Sequence, residues 1–149
     1  MRLLVRRGKS AKALDVAGNG LERTGPGPER TSLIQALLPY GRDKTSLLRT
    51  MAESLAALPV LATDDELALE VYRTIGERFT SIGDAARAAD AYSEALRRRP
   101  GDVGLKRTLA DTWAAAGRDD RAMPLYRGIL ADNPDEYTVL DALAGALVR

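Results

Sequence analysis

Two stretches of this chain carry one pattern, and the second follows the first at a shift of 34 residues. The first copy places Tyr72, Ile75-Gly76, Phe79, Gly83-Asp84, Ala88, Tyr92, Ala95-Leu96 and Pro100 in order. In the second, Leu109-Ala110 falls on Ile75-Gly76, Trp113 on Phe79, Gly117 on Gly83, Ala122 on Ala88, Tyr126 on Tyr92, Ile129-Leu130 on Ala95-Leu96 and Pro134 on Pro100. A self-similarity of this length, holding small, aromatic and Pro positions in register, is the signature of a chain built by reusing one supersecondary unit.

Within each copy the apolar residues recur at helical spacing. Val71, Tyr72, Ile75 and Phe79 share one face, and Ala88, Ala91, Tyr92, Ala95 and Leu96 another, so each copy holds two amphipathic helices. Gly83-Asp84 and Gly117-Arg118 fall between them. Glycine there can take the left-handed conformation that closes a helix, and Asp84 can accept backbone N–H bonds at the start of the next. Pro100 and Pro134 stop the second helix of each pair. Gly76, Ala88, Ala95, Ala110 and Ala122 are small where the paired helices cross, leaving room for Tyr72, Phe79, Tyr92, Trp113 and Tyr126. One such hairpin cannot bury both faces, so the copies must stack on neighbours into a solenoid.

The 34-residue period, with these small and aromatic slots, resembles the tetratricopeptide repeat. The resemblance implies an all-α, right-handed α-solenoid of antiparallel helix pairs with about eight helices, and a non-catalytic binding module whose first helices line a concave groove for a partner's peptide or helix. Carried over residue by residue, the groove positions are Glu70, Arg73, Glu77 and Thr80 in the first clear copy, Arg107, Asp111 and Ala114 in the second, and Asp141 in the last helix. Members that clamp the acidic C-terminal tails of chaperones carry Asn where this chain has Glu77 and Asp111. Capture of a carboxylate tail is therefore disfavoured, and a partner segment with both charges and some apolar residues fits better.

The rest of the chain is expected to extend the array as one domain. Residues 1–28 read as a partial repeat, with Gly8 as turn glycine, Ala13, Leu14, Ala17, Gly20 and Leu21 on an apolar helical face, and Gly25-Pro26-Gly27-Pro28 as its terminator. Gly18 and Gly20 inside that helix would each cost about 1 kcal/mol relative to Ala. The upstream half of that hairpin is absent, so this end is either a capping variant or part of a longer array. Residues 29–61 form a degenerate hairpin. Thr31-Ser32 can cap a helix carrying Leu33, Ile34, Leu37 and Leu38 that stops at Pro39; Asp43, after Gly41, can cap one carrying Leu47, Leu48, Met51, Leu55 and Leu58 that stops at Pro59. Residues 62–102 are the first clear copy with an N-terminal extension, its helix starting near Asp64, and 103–136 are the second. The terminal helix, 137–149, repeats the first-helix face through Tyr137, Leu140, Leu143, Ala144 and Leu147. It is apolar all round, which predicts either further sequence downstream or end-to-end self-association.

Composition excludes more than it adds. With no Cys and no His, thiolate nucleophiles, imidazole bases and the usual zinc ligand sets are absent together, and no enzyme activity, metal or cofactor is expected. Net charge is +1, from 22 basic and 21 acidic side chains, so no global field favours nucleic acid or an anionic membrane. Asp64-Asp65, Asp119-Asp120 and Asp135-Glu136 sit at helix starts, where acids complement the helix dipole, and Arg97-Arg98-Arg99 ends a helix, where cations do. No signal peptide or membrane-spanning stretch is visible, which points to the cytoplasm, and the abundance of Arg, Ala and Gly suggests a GC-rich bacterial gene. The partner is expected to be a protein or peptide. The alternative is the non-catalytic helical region of a larger bacterial enzyme, such as a glycosyl- or sulfotransferase. Replacing Gly76 by Leu is expected to cost more than about 2 kcal/mol through overpacking at the helix crossing; a neutral denaturant melt would show that the helices are paired differently.

Overall fold

The computed structural model describes residues 16, 19–21, 23–25, 27–38 and 45–148. The positions assigned to Gly8, Ala13, Leu14, Ala17, Gly18, Pro26, Pro39, Gly41 and Asp43 lie outside them. The described residues are helical throughout: α1 (Pro28–Leu37), α2 (Thr45–Ala56), a 3-10 turn (Pro59–Ala62), α3 (Asp65–Ser81), α4 (Ala85–Arg98), α5 (Val103–Ala115), α6 (Asp119–Asp132) and α7 (Tyr137–Val148). Each helix packs on the next from α3 onward, most extensively α3 on α4 and α5 on α6, and α7 closes on α6. One continuous apolar cluster runs from Leu21 to Val139.

The two clear copies superimpose in their local chemistry. α3 ends with Gly83 at φ 81° and α5 with Gly117 at φ 71°. In both, two bonds tie the turn to the last helical carbonyls: Gly83 N–H to Thr80 O (3.0 Å) and Asp84 N–H to Phe79 O (3.0 Å), then Gly117 N–H to Ala114 O (3.0 Å) and Arg118 N–H to Trp113 O (2.9 Å). This double bonding needs a left-handed residue, which Gly adopts without the steric cost a Cβ brings. The helices that follow differ in how they start. Asp84 caps α4 by accepting from Arg87 N–H (3.2 Å), whereas Arg118 gives α6 no side-chain cap. Asp102 caps α5, accepting from Leu105 N–H at 2.9 Å.

The crossing of α3 and α4 is closer than any side chain at position 76 would permit. A Cβ on Gly76 would meet the Tyr92 ring at 2.6 Å. Tyr92, Ala88 and Ala95 are buried on α4, and Phe79 is buried on α3. In the second copy Ala110 and Ala122 are fully buried beside Trp113 and Tyr126, and the Arg121 guanidinium lies 4.6 Å over the indole of Trp113. The antiparallel pairing also brings acidic helix starts to basic helix ends. Arg98 pairs with Asp65 (2.7 Å) and Arg99 with Glu66 (2.6 Å), joining the end of α4 to the start of α3, while Arg97 pairs with Glu94 (2.8 Å).

Three expectations need correction. α1 begins at Pro28, not after Thr31-Ser32. The Pro28 ring sits at the first helical position, where its missing N–H is no loss, so the residue read as a terminator is an initiator. In α7 the buried residues are Val139 and Ala146, with Ala142 and Leu143 half-buried, while Tyr137, Leu140, Ala144 and Leu147 are exposed. Ala144 and Leu147 match Gly76/Ala110 and Phe79/Trp113, which are buried in the earlier copies; among the described residues no helix covers them on α7. Lastly, Pro59 does more than stop α2, because it opens the 3-10 turn whose Leu61 is buried.

A buried arginine fastens α1 to α3. Only 5% of the Arg30 side chain is exposed; its Nη2 donates to Asp64 Oδ2 at 2.8 Å, and its Nε lies 3.9 Å from Glu70. The Thr31 hydroxyl donates to Glu70 beside it. Asp64 is also the cap of α3, accepting from Leu67 N–H at 2.8 Å. That backbone bond holds the Asp64 carboxyl below the usual carboxylate range, aided by Arg30 and opposed by burial.

Two predictions follow from the backbone and one from the ion pair. Gly83→Ala and Gly117→Ala are each expected to lose about 1 kcal/mol, because Ala is strained at positive φ. Gly128→Ala, in mid-helix with open space where its Cβ would go, is expected to gain about 0.5–1 kcal/mol in the same urea titration. Because Asp64 has a lowered pKa when folded, the stability it contributes is present above the unfolded carboxylate pKa and is lost as pH falls through the folded value. The urea stabilities of the parent and Asp64→Asn are therefore expected to differ at neutral pH and to converge below about pH 4; parallel curves would exclude this role for Asp64.

Candidate partner-binding trough

The face of α3 turned away from its buried side carries Glu70, Arg73, Glu77 and Thr80, one to two turns apart, and two hollows open along it. The first, of about 400 Å³, is walled by Arg30, Thr31 and Gln35 of α1, by Glu66, Glu70, Arg73 and Glu77 of α3, and by Arg99. The second, of about 440 Å³, lies between Thr80, Ala85, Tyr92, Thr108, Asp111, Thr112 and Ala115. They differ in character: charged side chains surround the first, and small residues and hydroxyls the second.

The eight positions nominated from the sequence do not stand equal. Glu70 is held by the Thr31 hydroxyl and lies near Arg30. Arg107 donates to Glu136 at 3.1 Å and lies 3.9 Å from Asp111. Asp111 accepts from the Tyr126 hydroxyl at 2.7 Å. The Thr80 hydroxyl turns back to Gly76 O at 2.9 Å. Ala114 is half-buried against the core, and Asp141 is exposed on α7, outside both hollows. That leaves Arg73 and Glu77. Both are exposed, and among the described residues neither takes part in an ion pair within 4.0 Å.

Tyr92 connects the packing to the trough. Its ring fills the space over Gly76, and its hydroxyl comes out beside Thr80, within the influence of Glu77 and Arg73. Burial pushes its pKa up; the Thr80 hydroxyl acts against this, and Glu77 and Arg73 act in opposite senses on the same hydroxyl. The second copy uses the corresponding groups differently. There the shorter Asp111 takes the bond from Tyr126 and is satisfied within the fold, whereas Glu77 is left available. Sequence reading missed Arg30, Thr31 and Tyr126 as partners of the nominated acids. Nothing in the helical period marks them, since they come from neighbouring helices.

Chemically, the trough offers one cation and one anion about 6 Å apart along a helix, with a shallow apolar hollow beyond. Among the described residues no group of His, Cys, Asp or Glu is placed to hold a metal ion, and no helix is long and apolar enough to cross a membrane.

Comparison with known proteins agrees with the helical-repeat fold. A stretch of 74 residues, half of this chain, is 35% identical to the cellulose synthase operon protein C of Xanthomonas axonopodis pv. citri (strain 306), of whose length it covers only 5%. Residues 82–147, from the turn after α3 through α7, match the family model of the tetratricopeptide repeat. With the 34-residue period, the antiparallel pairs and the Tyr-over-small crossing all in place, the chain carries tetratricopeptide repeats over residues 82–147.

Proposed function

We propose that this chain is a non-catalytic scaffold for protein–protein interaction that receives a partner's segment in the trough along α3 and α5. The observation that carries the reading is the pair Arg73 and Glu77. They are exposed charges on a helix otherwise fastened by its neighbours, and they face hollows rather than a packed surface. A protein or peptide suits the site better than nucleic acid. The net charge is +1, and each member of the Arg97-Arg98-Arg99 run, the densest basic stretch, is already paired with an acid.

The Xanthomonas relative favours one setting for this scaffold. Its name places it in a cellulose synthase operon, and the matched stretch is 5% of its length. That supports reading the chain as one section of a longer repeat protein that accompanies a sugar-polymerising enzyme without carrying out catalysis. The outer face of α7, where Tyr137 is 73% and Leu147 60% exposed, suits either the next repeat of such a protein or, without one, end-to-end self-association.

Pull-downs with the 149-residue chain and its Arg73→Glu variant test the trough. Capture of the specific partner is expected to fall at least tenfold for Arg73→Glu and to be unchanged for Arg97→Glu, which lies away from both hollows. Equal capture by all three proteins would show that binding takes place elsewhere.

A further inference from the structure

The proposed trough has a direction as well as a sign. Along α3 the order is Arg73, then Glu77 one turn on, then Thr80 at the lip of the second hollow, whose walls include Ala85, Tyr92 and Ala115. The neighbouring cations are paired, Arg99 with Glu66, Arg30 with Asp64 and Arg107 with Glu136, and Asp111 accepts from the Tyr126 hydroxyl 3.9 Å from Arg107. Among the described residues that wall the first hollow, Arg73 and Glu77 carry exposed charges that no ion pair within 4.0 Å engages. A partner segment with its charges in the reverse order would set like charge against like at both places.

We infer that the occupant is an extended peptide segment in which a basic residue lies between an acidic residue and a small apolar residue, each two positions from the next; this rests on the trough being the binding site. The acidic side chain meets Arg73, the basic one meets Glu77, and the apolar one enters the second hollow. The spacing comes from geometry. Four residues of helix rise about 6 Å, and two residues of extended chain span about 6.6 Å with both side chains on one face. A helical partner fits poorly, because a cylinder about 10 Å across would fill either hollow within about one turn. The hollows admit side chains, not a second helix. The pattern can run in either chain direction, since what the trough fixes is the middle position of the base.

Panning a random twelve-residue peptide library against the immobilised full chain tests the inference, with the charge-exchanged Arg73→Glu/Glu77→Arg variant panned in parallel. The exchange leaves net charge unchanged and touches two exposed side chains, so both proteins should give the same helical circular dichroism. The parent is expected to enrich acid–x–base–x–apolar peptides, in either direction. The variant is expected to enrich base–x–acid–x–apolar peptides, each peptide binding its own protein at least tenfold more tightly than the other. Enriched peptides that lose binding on Arg73→Glu but show no fixed charge order would overturn the inference and leave the trough standing. Enriched peptides indifferent to both variants, or no enrichment at all, would overturn the trough reading and this inference with it.

Discussion

A single methyl group placed on Gly76 would lie 2.6 Å from the Tyr92 ring, closer than nonbonded carbons approach. The ring therefore occupies space that only glycine leaves, and that sets how near α4 can come to α3. Close approach lets Ala88, Ala91 and Ala95 disappear from solvent beside Phe79, which gives a chain poor in large side chains a densely packed core. In the second copy Ala110 and Tyr126, both buried, hold the equivalent positions, so that crossing leaves room for a Cβ that the first does not.

The same crossing decides what faces the trough. Since Tyr92 and Tyr126 pass across their partner helices, their hydroxyls come out on the face where α3 and α5 carry polar residues. Tyr126 donates to Asp111, while the Tyr92 hydroxyl comes out beside Thr80, where Glu77 and Arg73 act on it in opposite senses. A one-carbon difference between Glu and Asp at equivalent positions thus goes with a free charge in one copy and a satisfied one in the other. In the proposed reading partner recognition falls on α3, and Arg98 and Arg99 are engaged in ion pairs with Asp65 and Glu66.

How much was legible in advance depended on whether a feature was local or depended on neighbours. The Gly83 and Gly117 turns, the start of α3 near Asp64, the Asp84 cap and the Gly76 crossing could be read from spacing, because each is set by residues within one hairpin. The start of α1 was misread because Pro28 suits both the end of one helix and the first position of the next, and composition cannot separate the two. The α7 face was placed on residues such as Ala144 and Leu147 that stand exposed, because the template assumes a following helix. The commitments of Glu70 and Asp111 were invisible for a related reason. Their partners, Thr31 and Tyr126, lie on other helices at separations of 39 and 15 residues that no period encodes.

The most direct measurement is the nuclear Overhauser contact between the Gly76 α-protons and the Tyr92 ring protons in the isotope-labelled chain. If the ring lies over Gly76 as described, strong cross-peaks are expected, together with α-proton shifts displaced upfield by the aromatic current. Gly76 α-protons at ordinary helical shifts, with no cross-peak to Tyr92, would contradict the crossing and the trough built on it.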